Sequence, residues 1–175
     1  MPVLQTARLT LDRITADDAE FIRALLTEPS FLRYIGDRGV QTADDARRYI
    51  EEGPVASYAA HGFGLYLVRL TDGGTPIGMC GLLKREALQD VDVGFALRPA
   101  YWGNGYARES ALAVMHHARD DFGLTRLAAI VSPDNKPSIS VLEALGLRFE
   151  ETRQLTADTE PVQVFGCDLG PAKDT

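Results

Sequence analysis

Gly103 and Gly105 stand between large aromatics in the stretch RPAYWGNGYARES, Arg98 to Ser110. Glycine weakens both neighbouring elements there, because each one adds backbone entropy that folding must remove, so a compensating use is expected. A glycine-containing turn that feeds a helix start leaves several backbone N–H groups in one concave patch, and the partial positive end of the helix favours an anion in it. That use is a phosphate cradle over Gly103, Asn104, Gly105, Tyr106, Ala107 and Arg108. The G-x-G spacing alone leaves a second use open, a helix-entry turn in which glycine serves geometry only. The third glycine and downstream acid of a dinucleotide fingerprint are missing, and so are the Lys and Ser/Thr of a P-loop.

Other residues carry chemistry singly. In the run VDVGFAL, alternation puts Val91, Val93, Phe95 and Leu97 on one face and Asp92 on the other, less apolar one. Asp92 is either a proton acceptor or a solvated strand carboxylate. Asn135 and Ser138 open a helix whose first turn holds Pro137, so both suit capping as well as contact with a ligand at a helix start. His116 and His117 lie more than two turns inside their helix and, with His61, read as packed or solvated. Cys80 and Cys167 lie far apart without a CxxC or a His partner, which favours reduced, strand-borne thiols and no metal.

The elements that must position these groups alternate in type. A strand through Leu9, Leu11 and Arg13 ends at Thr15, and the T-x-x-D pattern at Thr15 to Asp18, repeated at Thr42 to Asp45, opens helices over about Ala16 to Thr27 and Ala43 to Ala60. The linker between them carries Phe31, Leu32, Tyr34 and Ile35, apolar enough to line a cleft. Strands follow at Phe63 to Leu70, Ile77 to Lys84 and Val91 to Leu97, with Asp72 to Gly74 as a hairpin turn. Then come helix Tyr106 to Asp121, strand Arg126 to Ser132, helix Lys136 to Leu145, and strands near Phe149 to Leu155 and Val162 to Leu169. The pattern predicts one α/β domain over residues 1–175 with a mixed sheet.

Composition narrows the function classes. The chain has 175 residues, 45% hydrophobic and 25% charged, and a net charge of −7, which argues against a nucleic-acid surface. No stretch is apolar for long enough to span a membrane and the first residues lack a signal-peptide pattern, so a cytoplasmic protein is expected.

The blocks DVGFALRPAYWGNGYA and NKPSISVLEALGL, with TARLTLDRIT and EPSFLRYI before them, resemble the GNAT acyltransferases, and most closely their RimJ/RimL-type branch. The resemblance covers nearly the whole chain. It implies a mixed, mostly antiparallel sheet flanked by helices with a splayed strand pair, and acetyl-CoA as co-substrate without a metal. It also implies that the loop binds the coenzyme pyrophosphate through backbone amides, with Trp102 at the position where the family has Gln or Arg. Pantetheine is then expected between the splayed strands, against the backbone of Phe95, Ala96 and Leu97, with an N–H near Phe95 holding the thioester oxygen and Gly94 at a bulge. The family's Tyr acid is absent, Leu142 standing in its place. The branch points instead to Ser138 at the departing thiolate, with Asn135 on the coenzyme and Asp92 as base. Phe31, Leu32, Tyr34 and Leu155 are expected to wall the acceptor site.

The expected activity is transfer of acetyl to a primary amine, foremost a protein N-terminal α-amine. A small amine (polyamine, amino acid or aminoglycoside) and a non-catalytic acetyl-CoA-binding module remain alternatives, and a homodimer is left open.

Overall fold

A strand that must bury both faces needs helices above and below it, and the apolar segments of this chain are arranged accordingly. In a computed structural model, which describes residues 1–174, they form one eight-stranded sheet in the order β1-β2-β3-β4-β5-β6-β8-β7. The strands are β1 (Leu4–Gln5), β2 (Leu9–Arg13), β3 (Leu65–Leu70), β4 (Pro76–Leu83), β5 (Asp92–Leu97), β6 (Arg126–Val131), β7 (Arg148–Arg153) and β8 (Val162–Asp168). All neighbours are antiparallel except β5 and β6, which run parallel. One face carries α5 (Tyr106–Asp120) and α6 (Lys136–Ala144), whose Ala111, Val114, Ala118 and Leu142 pack on Cys80, Val93 and Leu127. The other carries α1 (Ala19–Leu26), α2 (Pro29–Tyr34) and α3 (Ala43–Ile50) over Leu65, Leu67 and Met79.

Three expectations change. The segment expected as a linker contains α2, which starts with Pro29 at its first position, where a missing N–H costs nothing. The single long helix expected from Ala43 is broken: α3 widens into a π turn at Glu51–Val55 and resumes as α4 (Ala56–His61). Pro54 inside that turn lacks the N–H that an α-helix requires there. A short β1 precedes the first expected strand and pairs Leu4 with Leu11. The second T-x-x-D pattern does cap its helix: Asp45 N donates to Thr42 Oγ1 at 3.1 Å and Thr42 N donates to the Asp45 carboxylate at 3.0 Å.

Candidate active site

The parallel pair β5 and β6 shares one rung. Asp92 is opposite Ala128, and Ala128 N donates to Val91 O at 2.9 Å. Beyond it the strands part. On its other side β5 stays in continuous register with β4, so no bulge forms at Gly94. Instead, a Cβ on Gly94 would crowd the Leu83 side chain at 3.1 Å. Arg98 N donates to Ile77 O, which fixes the alternation of the antiparallel ladder. Ala96 therefore turns its backbone to Met79 of β4, while Phe95 and Leu97 turn theirs toward the gap. Of those open groups the Leu97 carbonyl is already used, accepting from Trp102 Nε1 at 2.9 Å. An extended ligand laid in the gap thus meets the N–H and C=O of Phe95 and the N–H of Leu97, but not the Ala96 amide.

The turn after β5 leads straight into α5. Gly103 and Gly105 have φ of +77° and +81°, values that a side chain makes costly. The first bond of α5 is Glu109 N to Gly105 O, and no side chain caps the helix, so the amides of Gly103 through Arg108 have no partner among the described residues. Arg108 is exposed beside them and forms no ion pair among the described residues. Six successive amides at the positive end of a 15-residue helix are the donor set that a pyrophosphate requires.

Across the gap, α6 begins after β6. Asn135 caps it, its Oδ1 accepting from Ser138 N at 3.3 Å. The Ser138 hydroxyl makes no hydrogen bond among the described residues and is half-buried, so Ser138 does not satisfy the helix start. At the closed end of the gap Asp92 is only 1% exposed, which overturns the solvated reading of this carboxylate. Its Oδ1 accepts from Arg85 Nε at 3.0 Å, while the buried Oδ2 has no partner among the described residues. Burial pushes the Asp92 carboxyl up to about 6, against the opposing pull of Arg85.

Residues 8–148 match the family model described as the acetyltransferase (GNAT) domain. This chain belongs to the GNAT acetyltransferases. It is 29% identical over 150 residues to the uncharacterized N-acetyltransferase YoaA of Bacillus subtilis, covering 85% of this chain and 84% of the relative. An acetyltransferase structure from Agrobacterium tumefaciens superposes with a TM-score of 0.80 at 26% identity, over 95% of this chain and 94% of that one. A RimL ribosomal-protein α-N-acetyltransferase solved with coenzyme A shares the fold, with a TM-score of 0.80 at 16% identity over 96% of this chain and 98% of that one. As a GNAT protein the chain is an acetyl-CoA-dependent N-acetyltransferase, and its free amides and open β5 edge fit the coenzyme.

The four residues expected to wall the acceptor site in this GNAT chain do not share one environment. Phe31 is 4% exposed and belongs to the core under α1 and α3, so it does not face a cleft. Leu32 is exposed and Tyr34 half-buried under the Arg33 guanidinium, 4.8 Å from its ring centroid. The segment holding them bridges the gap: Glu28 pairs with Arg98 after β5 at 3.4 Å, and Arg33 pairs with Asp134 after β6 at 3.5 Å. Leu155 packs with Leu88, Ala128 and Val164 on the same face of the sheet.

Sequence reasoning missed Arg85, the partner of Asp92. Its only signal was a cation seven residues before an acid across a loop. The histidines and cysteines stay out of the site. His117 is buried, with Nε2 3.1 Å from Tyr66 Oη and Nδ1 2.5 Å from Asp121 Oδ2, and burial pushes the Cys80 thiol up to about 12. Among the described residues no cluster of His, Cys, Asp and Glu is placed to hold a metal ion, and no helix is long and apolar enough to cross a membrane.

Proposed function

We propose that this protein acetylates the α-amino group of a protein N-terminus, working as one domain over residues 1–175 in the cytoplasm, where acetyl-CoA is made and used. The observation that carries the acceptor class is Asp92: a buried carboxyl at the closed end of the gap, raised to about 6, with one oxygen unpartnered. A base of that strength suits an α-amine, with a reference pKa of about 8, far better than a lysine or polyamine amine of about 10.4.

Acetyl-CoA, when bound, supplies the thioester acyl group. The amides of Gly103 to Arg108 hold its pyrophosphate, and the Phe95 and Leu97 backbone aligns the pantetheine arm as an added strand. Phe95 N–H donates to the thioester oxygen as negative charge builds there. Asp92 lies three residues from Phe95, roughly 10 Å along the strand, so it takes the amine proton through water rather than by contact. Ser138 donates its free hydroxyl to the departing thiolate, and Asn135 orients that turn. The new C–N bond forms as the C–S bond breaks, and the proton lost by the amine balances the one gained by the thiol. Holding amine and thioester together contributes the largest part of the rate, effective molarities of about 10⁵ M being within reach.

Coenzyme A release measured over a panel decides the acceptor. Peptides with free N-termini should release thiol, and the same peptides blocked at the N-terminus but carrying lysine should not. Faster release with polyamines, amino acids or aminoglycosides would replace this reading with the small-amine one. Coenzyme binding without release in any well would leave a binding module.

A further inference from the structure

Glu109 sits one turn inside α5, four residues from the Gly105 cap, and places a carboxylate beneath the cradle. Taken alone this works against an anion site, since a fixed negative charge roughly 8 Å from a pyrophosphate weakens binding several-fold even in a partly wet setting. The fold answers it from the other end of the chain. The turn between β1 and β2 delivers Thr6 and Arg8 onto this one carboxylate. Thr6 Oγ1 donates to Oε1 at 2.6 Å, Arg8 N donates to Oε1 at 3.0 Å, and Arg8 Nε and Nη2 both reach Oε2 at 2.7 Å. Burial works to raise the Glu109 carboxyl, but these bonds outweigh it and hold the group below its usual range, so it stays ionised and needs its counter-charge.

The guanidinium is also fixed against the cradle itself. It lies over the Tyr106 ring, 4.5 Å from the centroid, and a Cβ on Gly105 would come within 3.4 Å of Arg8 Nη2. Trp102, just before the cradle, is uncharged, and its indole N–H is committed to Leu97. No cation at that position offsets Glu109.

We propose that the β1–β2 turn is part of the coenzyme site, with Arg8 as a positioning residue that cancels the Glu109 charge and fixes the first turn of α5, leaving the amides above it an unopposed attraction for the pyrophosphate. The inference rests on the reading that the Gly103 to Arg108 cradle takes coenzyme A.

Calorimetric titration of coenzyme A at low salt into the wild type and four variants tests it, each first checked for folding by thermal melting. Arg8→Gln should bind about tenfold more weakly, Glu109→Gln about two- to fivefold more tightly, and the double variant within about twofold of the wild type. Arg8→Lys, which keeps the charge, should recover most of the loss. Turnover with S-acetylpantetheine, which lacks the pyrophosphate, should be the same for Arg8→Gln and wild type. Unchanged affinity in Arg8→Gln, an equal loss with S-acetylpantetheine, or a loss of full size persisting in the Glu109→Gln background would overturn the proposal. Should Arg8→Gln fail to fold, Glu109→Gln decides alone: tighter binding supports the electrostatic role, and unchanged or weaker binding refutes it. A wild type that binds no coenzyme A would refute the cradle reading itself.

Discussion

The two sides of the splayed strands are built from different materials. The proposed coenzyme side is main chain: a strand edge with its hydrogen-bonding groups turned outward and six amides at a helix start without a partner among the described residues. The proposed acceptor side is side chain: Leu32 and Tyr34 on a short helix, Leu155 packed against the sheet, and Asp92 under Arg85. Main-chain recognition depends on backbone path and tolerates most substitutions, whereas side-chain recognition changes with each residue. One fold can therefore keep its coenzyme while it varies its acceptor.

The contrast breaks most visibly at the cradle. Gly105→Val puts a branched side chain at φ +81° and should weaken coenzyme A binding about a hundredfold while the apo protein still melts cooperatively. Calorimetry showing unchanged affinity in a folded variant would mean that the amides of this turn are not the site.

The proposed mechanism divides a helix start between Ser138 for turnover and Asn135 for stability. Ser138→Ala should lower kcat and kcat/KM together by about ten- to a hundredfold, with little change in melting, because its hydroxyl makes no hydrogen bond among the described residues. Asn135→Ala should cost about 1 kcal/mol of stability, as loss of a helix cap does. A Ser138→Ala protein with normal kcat would remove the hydroxyl from the mechanism.

Asp92 sharpens the comparison through pH. Its folded-state carboxyl is raised to about 6 from the ordinary 3.8, so the folded protein holds the proton more tightly. Its contribution to stability is thus greatest at low pH, falls as pH rises from about 4 to 6, and is flat above. The stability of Asp92→Asn relative to wild type should rise across that window. The kcat/KM profile of the wild type should show a limb near pH 6 that the variant lacks, and a limb that survives in Asp92→Asn would assign the proton to another group. The smallest effect is expected at the outer wall, where Tyr34→Ala should raise KM for the amine about threefold, the loss of one partly buried contact, and leave KM for acetyl-CoA unchanged.

What was legible in the sequence follows the same division. The glycine turn before α5 could be read because two glycines between large aromatics suit positive φ, although their spacing alone left the use of the turn open, and β5 because its apolar alternation is regular. The splay itself came only with the resemblance, since nothing in the β6 sequence announces that pairing stops after Ala128. Phe31 misled because an apolar residue between two helices reads equally as a cleft wall or a buried plug, and only the packing of α1 and α3 decides. Ala96 misled because backbone parity depends on register with β4, fixed here by the Arg98 to Ile77 bond. Arg85, Thr6 and Arg8 meet their carboxylate partners from loops and turns, so no periodicity marks them.

The lone rung between β5 and β6 also divides the chain along its length. Strands β1 to β5 come from the first 97 residues and β6 to β8 from Arg126 onward, so the seam in the sheet is a seam between two consecutive stretches of polypeptide. A ligand lying along that seam supplies cross-links that the polypeptide itself omits. At about a hundred times its Kd such a ligand adds about 2.7 kcal/mol to the folded state, delivered where the sheet holds itself together least. Amide protons at Phe95 and Leu97 should then exchange at rates set by coenzyme concentration, and the lifetime of the fold becomes a gauge of the acyl donor around it.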